Sequence, residues 1–157
     1  MKFSEVQRFT QWWFWLILLG IGGVAVYGIY KQLILGEPFG DNPMSNPGLI
    51  AFSVLIFGTI AFFLFVNLKT EIDDKEIKIA FIPFAKKTVS WKDVKKAEIV
   101  NYGFVGYGVR MSSKYGTVYN AKGNKGLAIE LNNGRKLLVG SQKVDELNDI
   151  IKRKEIH

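Results

Sequence analysis

The chain of 157 residues has no cysteine, and its one histidine is His157. Disulfides, Cys–His nucleophile pairs and zinc sites built from cysteine and histidine are therefore excluded. So is a Ser-His-Asp triad, because the lone imidazole is expected at a frayed chain end. The absence of thiols agrees with a cytoplasmic bulk. Proline is scarce, and three of its four copies fall within residues 36–48. The carboxylate pairs left for acid–base work are Asp73 with Asp74 and Asp145 with Glu146. They read as an exposed turn and as charges at a helix N-terminus. The expectation is a non-enzymatic protein with no catalytic residues, no metal site and no cofactor.

Charge is missing from two long stretches. Thr10 to Tyr30, which includes QWWFWLILLG, is 21 residues without an ionisable acid or base. It is too long for the apolar region of a signal peptide, and it lacks the recurring polar positions of a core helix's solvent face. An α-helix needs about 20 apolar residues to cross a hydrocarbon core of roughly 30 Å. Leu49 to Leu68 is a second uncharged run, of 20 residues. These predict two transmembrane helices, at about 12–35 and 49–68, joined by the Pro- and Gly-rich segment 36–48 as an antiparallel hairpin. Trp12, Trp13 and Trp15 are the expected membrane-interface anchors. Gly20, Gly22, Gly23 and Gly28 leave flat patches suited to helix packing. The spans hold no deep charge and two helices enclose no path, which argues against transport by a single copy.

Lys2, Arg8 and Lys31 against Glu5 give residues 1–35 a charge of +2, residues 36–48 carry −2, and Lys69 onward carries +7. Basic residues near span ends are retained in the cytoplasm. Both termini are therefore expected inside and the loop outside, with Lys31 dissenting as a residue that snorkels to the far headgroups.

Residues 69–157 alternate with period two in several segments, as strands with one buried face do. Ile77, Ile79 and Phe81 share a face, as do Leu127, Ile129 and Leu131, and Asn133-Gly134 predicts a type I′ turn into Arg135–Val139. Further strands are expected at 68–72, 87–91, 97–102, 108–111 and 117–120, about seven in all, in a sandwich or small barrel. At the end the period changes. Ser141 is the expected N-cap of a helix with Val144, Leu147, Ile150 and Ile151 on its apolar face. The glycines of YGFVGYGVR lack the GxGxxG spacing, and AKGNKG reads as a hairpin turn.

The runs TEIDDKEIKIAFIPF, VSWKDVKKAEI, YGVR and YNAKGNKGLAIELNNGRKLLVGSQ, followed by a terminal helix, resemble bacterial pleckstrin-homology-like domains. The half containing WWFWLILLG and QLILGEPFGDNP resembles an uncharacterised family of such proteins with two N-terminal transmembrane helices. The resemblance implies an α+β membrane protein: a transmembrane hairpin with its N-terminal tail (1–68), then a cytoplasmic PH-like barrel of about seven antiparallel strands capped by a C-terminal α-helix (69–157). It implies a bacterial cytoplasmic (inner) membrane location and no reaction. One departure is the turn Asp73-Asp74-Lys75-Glu76, taken as the first hairpin turn, whose net −2 would repel a headgroup phosphate. The expected work is binding a partner protein at the membrane, as an accessory subunit of a larger membrane complex. The alternative is recognition of anionic lipid headgroups by Lys86, Lys87, Lys92, Lys95 and Lys96. Nucleic acid is not an expected partner, since no recognition motif is present.

Overall fold

A computed structural model describes residues 2–103 and 106–154. The chain divides into two compact units, one helical (Thr10–Phe65) and one of strands that combines the first nine residues with Val66 onward.

The helical unit has two helices long and apolar enough to cross a membrane. The first, α1 (Trp12–Ile29), continues into a π-helical turn at Tyr30–Ile34, and α2 spans Asn46–Phe65. α2 starts inside the predicted loop because Ser45 caps it: its hydroxyl accepts the Gly48 N–H at 3.3 Å. Pro47 falls in the first turn, where its missing N–H costs nothing. The loop is held by Gln32, whose amide donates to the Met44 carbonyl (2.6 Å) and to the Asn46 side chain (2.7 Å). The polar residues of α2 satisfy themselves, since the hydroxyls of Ser53 and Thr59 donate to the carbonyls four residues back. Large apolar side chains such as Leu16, Leu19, Val54 and Leu55 point outward. A water-soluble unit of this size would bury such groups.

The second span ends earlier than its uncharged run. Helix α2 stops at Phe65, and Val66 and Leu68 are buried in the core of the other unit. Apolar composition alone does not separate a helix end from a buried strand that follows it.

Among the described residues the strand unit has nine strands in two sheets. β1 (Phe3–Arg8), β2 (Asn67–Ile72), β3 (Glu76–Ile82) and β4 (Ala85–Ser90) form one antiparallel sheet in sequential order. The other contains β5 (Val94–Asn101), β6 (Gly108–Ser112), β7 (Gly116–Asn120), β8 (Lys125–Leu131) and β9 (Lys136–Gly140), in the order β5-β8-β9-β7-β6. Neither sheet closes on itself, and β7 runs parallel to β9, so the all-antiparallel expectation fails at that pair. The core between the sheets includes Leu68, Ile77, Ile79, Leu127 and Ile129, each at most 1% exposed. Burial of such a side chain contributes roughly 1.5–3 kcal/mol. A smaller cluster of Tyr102, Val118 and Leu138 lies on the other face of the five-stranded sheet.

The tail ahead of the helices is a strand. β1 pairs with β2 along its whole length, from Phe3 opposite Ile72 to Arg8 opposite Asn67. The two helices are therefore an insertion between the first and second strands of one sheet. The acidic turn at 73–76 joins β2 to β3 and is the second connection, not the first.

Two further details depart from the sequence reading. The β8–β9 connection is a three-residue loop, closed by Leu131 N–H to the Arg135 carbonyl and Gly134 N–H to the Leu131 carbonyl. Gly134 sits at φ 79°, the position such a loop reserves for glycine. Ser141 does not cap the final helix, α3 (Val144–Arg153). It is buried, and its hydroxyl donates to Glu5 of β1 at 2.6 Å. α3 packs on β5 and β8 through Leu147, Ile150 and Ile151.

Candidate functional site

The five candidate lysines lie close together in sequence but fall on two sheets and the turn between them. Lys86 and Lys87 lie on β4, the edge of the four-stranded sheet, and alternate in facing so that Lys86 is the more exposed. Lys92 belongs to the 3-10 turn at Trp91–Asp93 that carries the chain to the other sheet. Lys95 and Lys96 lie on β5, and both are paired: Lys95 with Glu130 at 3.1 Å and Lys96 with Glu98 at 2.8 Å. The Lys95 hydrogen bond holds the Glu130 carboxyl below its ordinary pKa. Two of the five cations are thus already committed to carboxylates.

The structure groups Lys87 instead with residues far from it in sequence. A cleft of about 450 Å³ is lined by Lys87, Met111, Thr117, Tyr119, Leu131, Arg135, Lys136 and Leu137, with Gly116 at its side. Its floor is core. Tyr119, Leu131 and Leu137 belong to the inter-sheet cluster, and burial pushes the Tyr119 phenol pKa up. Its rim is cationic, and no carboxylate lines it among the described residues. Sheet register explains the shape. Val109 lies opposite Tyr119 and Met111 opposite Thr117, so both β6 side chains share the core-facing side of the sheet. They lie on its last strand and stay uncovered, Met111 at 83% and Val109 at 39% exposure. The Thr117 hydroxyl lies 3.6 Å from the Met111 sulfur.

A second, smaller recess of about 280 Å³ is lined by Lys96, Glu98, Lys114, Tyr115, Glu130 and Lys136 among others. Its charges are mixed and largely paired, which leaves little net field for a ligand.

The remaining candidates have local roles. The Asp73 carboxylate accepts the backbone N–H groups of Lys75 and Glu76, which depresses its pKa and fixes the β2–β3 turn. Asp145 and Glu146 occupy the first turn of α3, where Lys143 lies 3.5 Å from Glu146. Of the Gly-rich loop, Gly103 and Gly106 have positive φ, while Phe104 and Val105 lie outside the described residues, as does His157. Asn120 fastens that loop by donating to the Gly106 carbonyl and accepting from the Tyr102 hydroxyl, whose pKa burial pushes up to about 12. In AKGNKG, the Lys122 carbonyl accepts from the Gln142 side chain. Among the described residues no group of three or more His, Cys, Asp or Glu could hold a metal ion.

In the helical unit Trp12 and Trp13 are exposed at the start of α1, and Trp15 is half-buried. The four glycines divide into two faces. Gly22 and Gly28 are buried within the hairpin: a Cβ at Gly22 would stand 3.3 Å from Ile60, and one at Gly28 would stand 3.0 Å from the Phe39 ring. Gly20 and Gly23 have open space in front of them.

Sequence reasoning found Lys87 and missed Met111, Arg135 and Lys136. The sequence signal for Met111 was an apolar residue in a short strand at a sheet edge, but edge position is a property of topology. A scan against protein-family models finds no match to this chain, and neither does a search of curated proteins.

Proposed function

We propose that this chain is a membrane-anchored, non-enzymatic binding module that engages a partner protein at the cytoplasmic face of a bacterial membrane. The helical pair is the anchor, and the strand unit is a PH-like fold that presents the site. Two core-packed sheets followed by a helix on β5 and β8 support that fold reading.

The observation that carries the functional reading is the open side of the sandwich. Between β4 and β6 the core surfaces as an apolar floor, with exposed Met111 and Val109 beside it and Lys87, Arg135 and Lys136 at the rim. An exposed apolar patch with a polar border is what a protein-binding surface requires. Strand pairing supports the placement: residues 3–8 and 67–72 share one sheet, which favours both ends of a membrane-crossing helical pair emerging on one side. Lys2, Arg8 and Lys69 beside the span ends favour the cytoplasm for that side.

Headgroup recognition is the weaker reading, because Lys95 and Lys96 are paired with Glu130 and Glu98 and the five lysines are divided between two sheets and the turn that joins them. The test is extraction from native membranes in mild detergent at native expression. A second protein recovered with this chain in fixed proportion is the expected result; the chain recovered alone would defeat the reading.

A further inference from the structure

Four strands end the two sheets, and three of them are protected. β1 is bound to the rest of the unit through Glu5 and Gln7. β4 carries Lys86 and Lys87, and lysines on an edge oppose pairing with another chain. β5 has a register irregularity between Val94 and Lys96 and is packed against α3. β6 has none of these devices. Its one charged residue is Arg110, whose Nε donates to the Tyr107 carbonyl, and its core-facing side chains are the uncovered Val109 and Met111.

An edge strand offers a row of unpaired backbone N–H and C=O groups, and an extended peptide satisfies them by adding as one more strand. A lipid headgroup cannot reproduce that ladder. The charge at the site selects among peptides. Lys87, Arg135 and Lys136 line the adjoining cleft without a carboxylate, so basic segments are repelled and acidic ones attracted.

Resting on the binding-module reading above, we propose that β6 is the docking edge for an extended, acidic segment of the partner protein. The segment pairs backbone to backbone with Gly108–Ser112. Its core-facing side chains supply apolar groups to Val109 and Met111 at the mouth of the cleft, and carboxylates toward the cationic rim that includes Lys87 and Arg135. The added strand closes the open side of the sandwich.

The test uses the full chain in neutral detergent micelles and a synthetic Glu/Val probe of about nine residues, the length of a long strand, in which Val and Glu share the alternate positions of one face and Thr fills the other. Saturable binding is expected, with amide hydrogen exchange slowed at residues 108–112. Lys87→Glu with Arg135→Glu should weaken it roughly tenfold, the sum of two rim ion pairs, while leaving thermal unfolding unchanged. Methylating alternate backbone nitrogens of the probe should abolish binding, and a Lys/Val probe should not bind. The proposal is overturned if the Glu/Val probe does not bind, protects amides elsewhere, tolerates N-methylation or ignores the charge reversals. Protection of β6 by phosphatidylglycerol vesicles but not by the peptide would also overturn it and assign the edge to a membrane. A photo-crosslinker at position 111, compared with one at exposed position 78, separates the two levels. A co-purifying partner captured from 111 supports the proposal. Capture from 78 alone defeats the docking edge and leaves the module reading standing, and a chain with no partner at all defeats both.

Discussion

β1 and β6 are both short strands at the end of a sheet, and the chain treats them in opposite ways. β1 turns Phe3, Glu5 and Gln7 inward, and the two polar residues reach across to the segment after β9. Glu5 accepts from the Ser141 hydroxyl at 2.6 Å and the Gln142 N–H at 2.8 Å, and Gln7 donates to the Gly140 carbonyl at 2.6 Å. β6 turns Val109 and Met111 the same way, toward the core side, and leaves them uncovered. One edge is closed by directional bonds to the chain's own backbone and hydroxyls. The other keeps non-directional apolar surface and an unused ladder. A hydrogen-bonded edge is specific to one partner that is always present, whereas an apolar edge accepts a partner that comes and goes.

The largest effect should come from breaking the closed edge. Glu5→Ala leaves a buried hydroxyl and a half-buried N–H without their acceptor, at a cost of about 2–4 kcal/mol. Chemical unfolding of the full chain in detergent measures it; a loss below about 0.5 kcal/mol would mean that β1 is held by pairing with β2 alone. Gln7→Met should cost less, about 1 kcal/mol. The bond to Gly140 disappears, but so does a buried Oε1 that has no partner. If Gln7→Met proved the more damaging of the two, the ordering of the two anchors would be reversed. The smallest effect belongs to the open edge: Val109→Thr with Met111→Ser should shift stability by no more than about 0.5 kcal/mol, because these side chains bury little. A large loss there, read in the same unfolding experiment, would show that the overhang is structural and erase the contrast.

Most elements could be read from the chain because their patterns are local. Ile77, Ile79 and Phe81 alternate, Leu147, Ile150 and Ile151 fall on a helical stripe, and the two long uncharged runs correspond to helices of membrane-crossing length. β1 could not, because its inward positions are mostly polar and FSEVQR shows no apolar alternation. Its partners are 133 to 137 residues away, and nothing in six residues announces them. The cleft was hidden for a related reason. Lys87 and Met111 come from strands of two different sheets and Arg135 from the β8–β9 loop, and only strand order brings them to one rim. The lysine cluster shows the converse case, since residues near one another along the chain fall on strands of two sheets.

The placement of the helical pair inside a β-hairpin has a consequence for biogenesis. The first strand leaves the ribosome before either hydrophobic segment, yet its hydrogen-bond acceptor and donors at Gly140, Ser141 and Gln142 are translated more than 130 residues later. Synthesis of Trp12–Phe65 therefore precedes completion of the sheet, with the first strand unpaired until the downstream strands arrive to receive it.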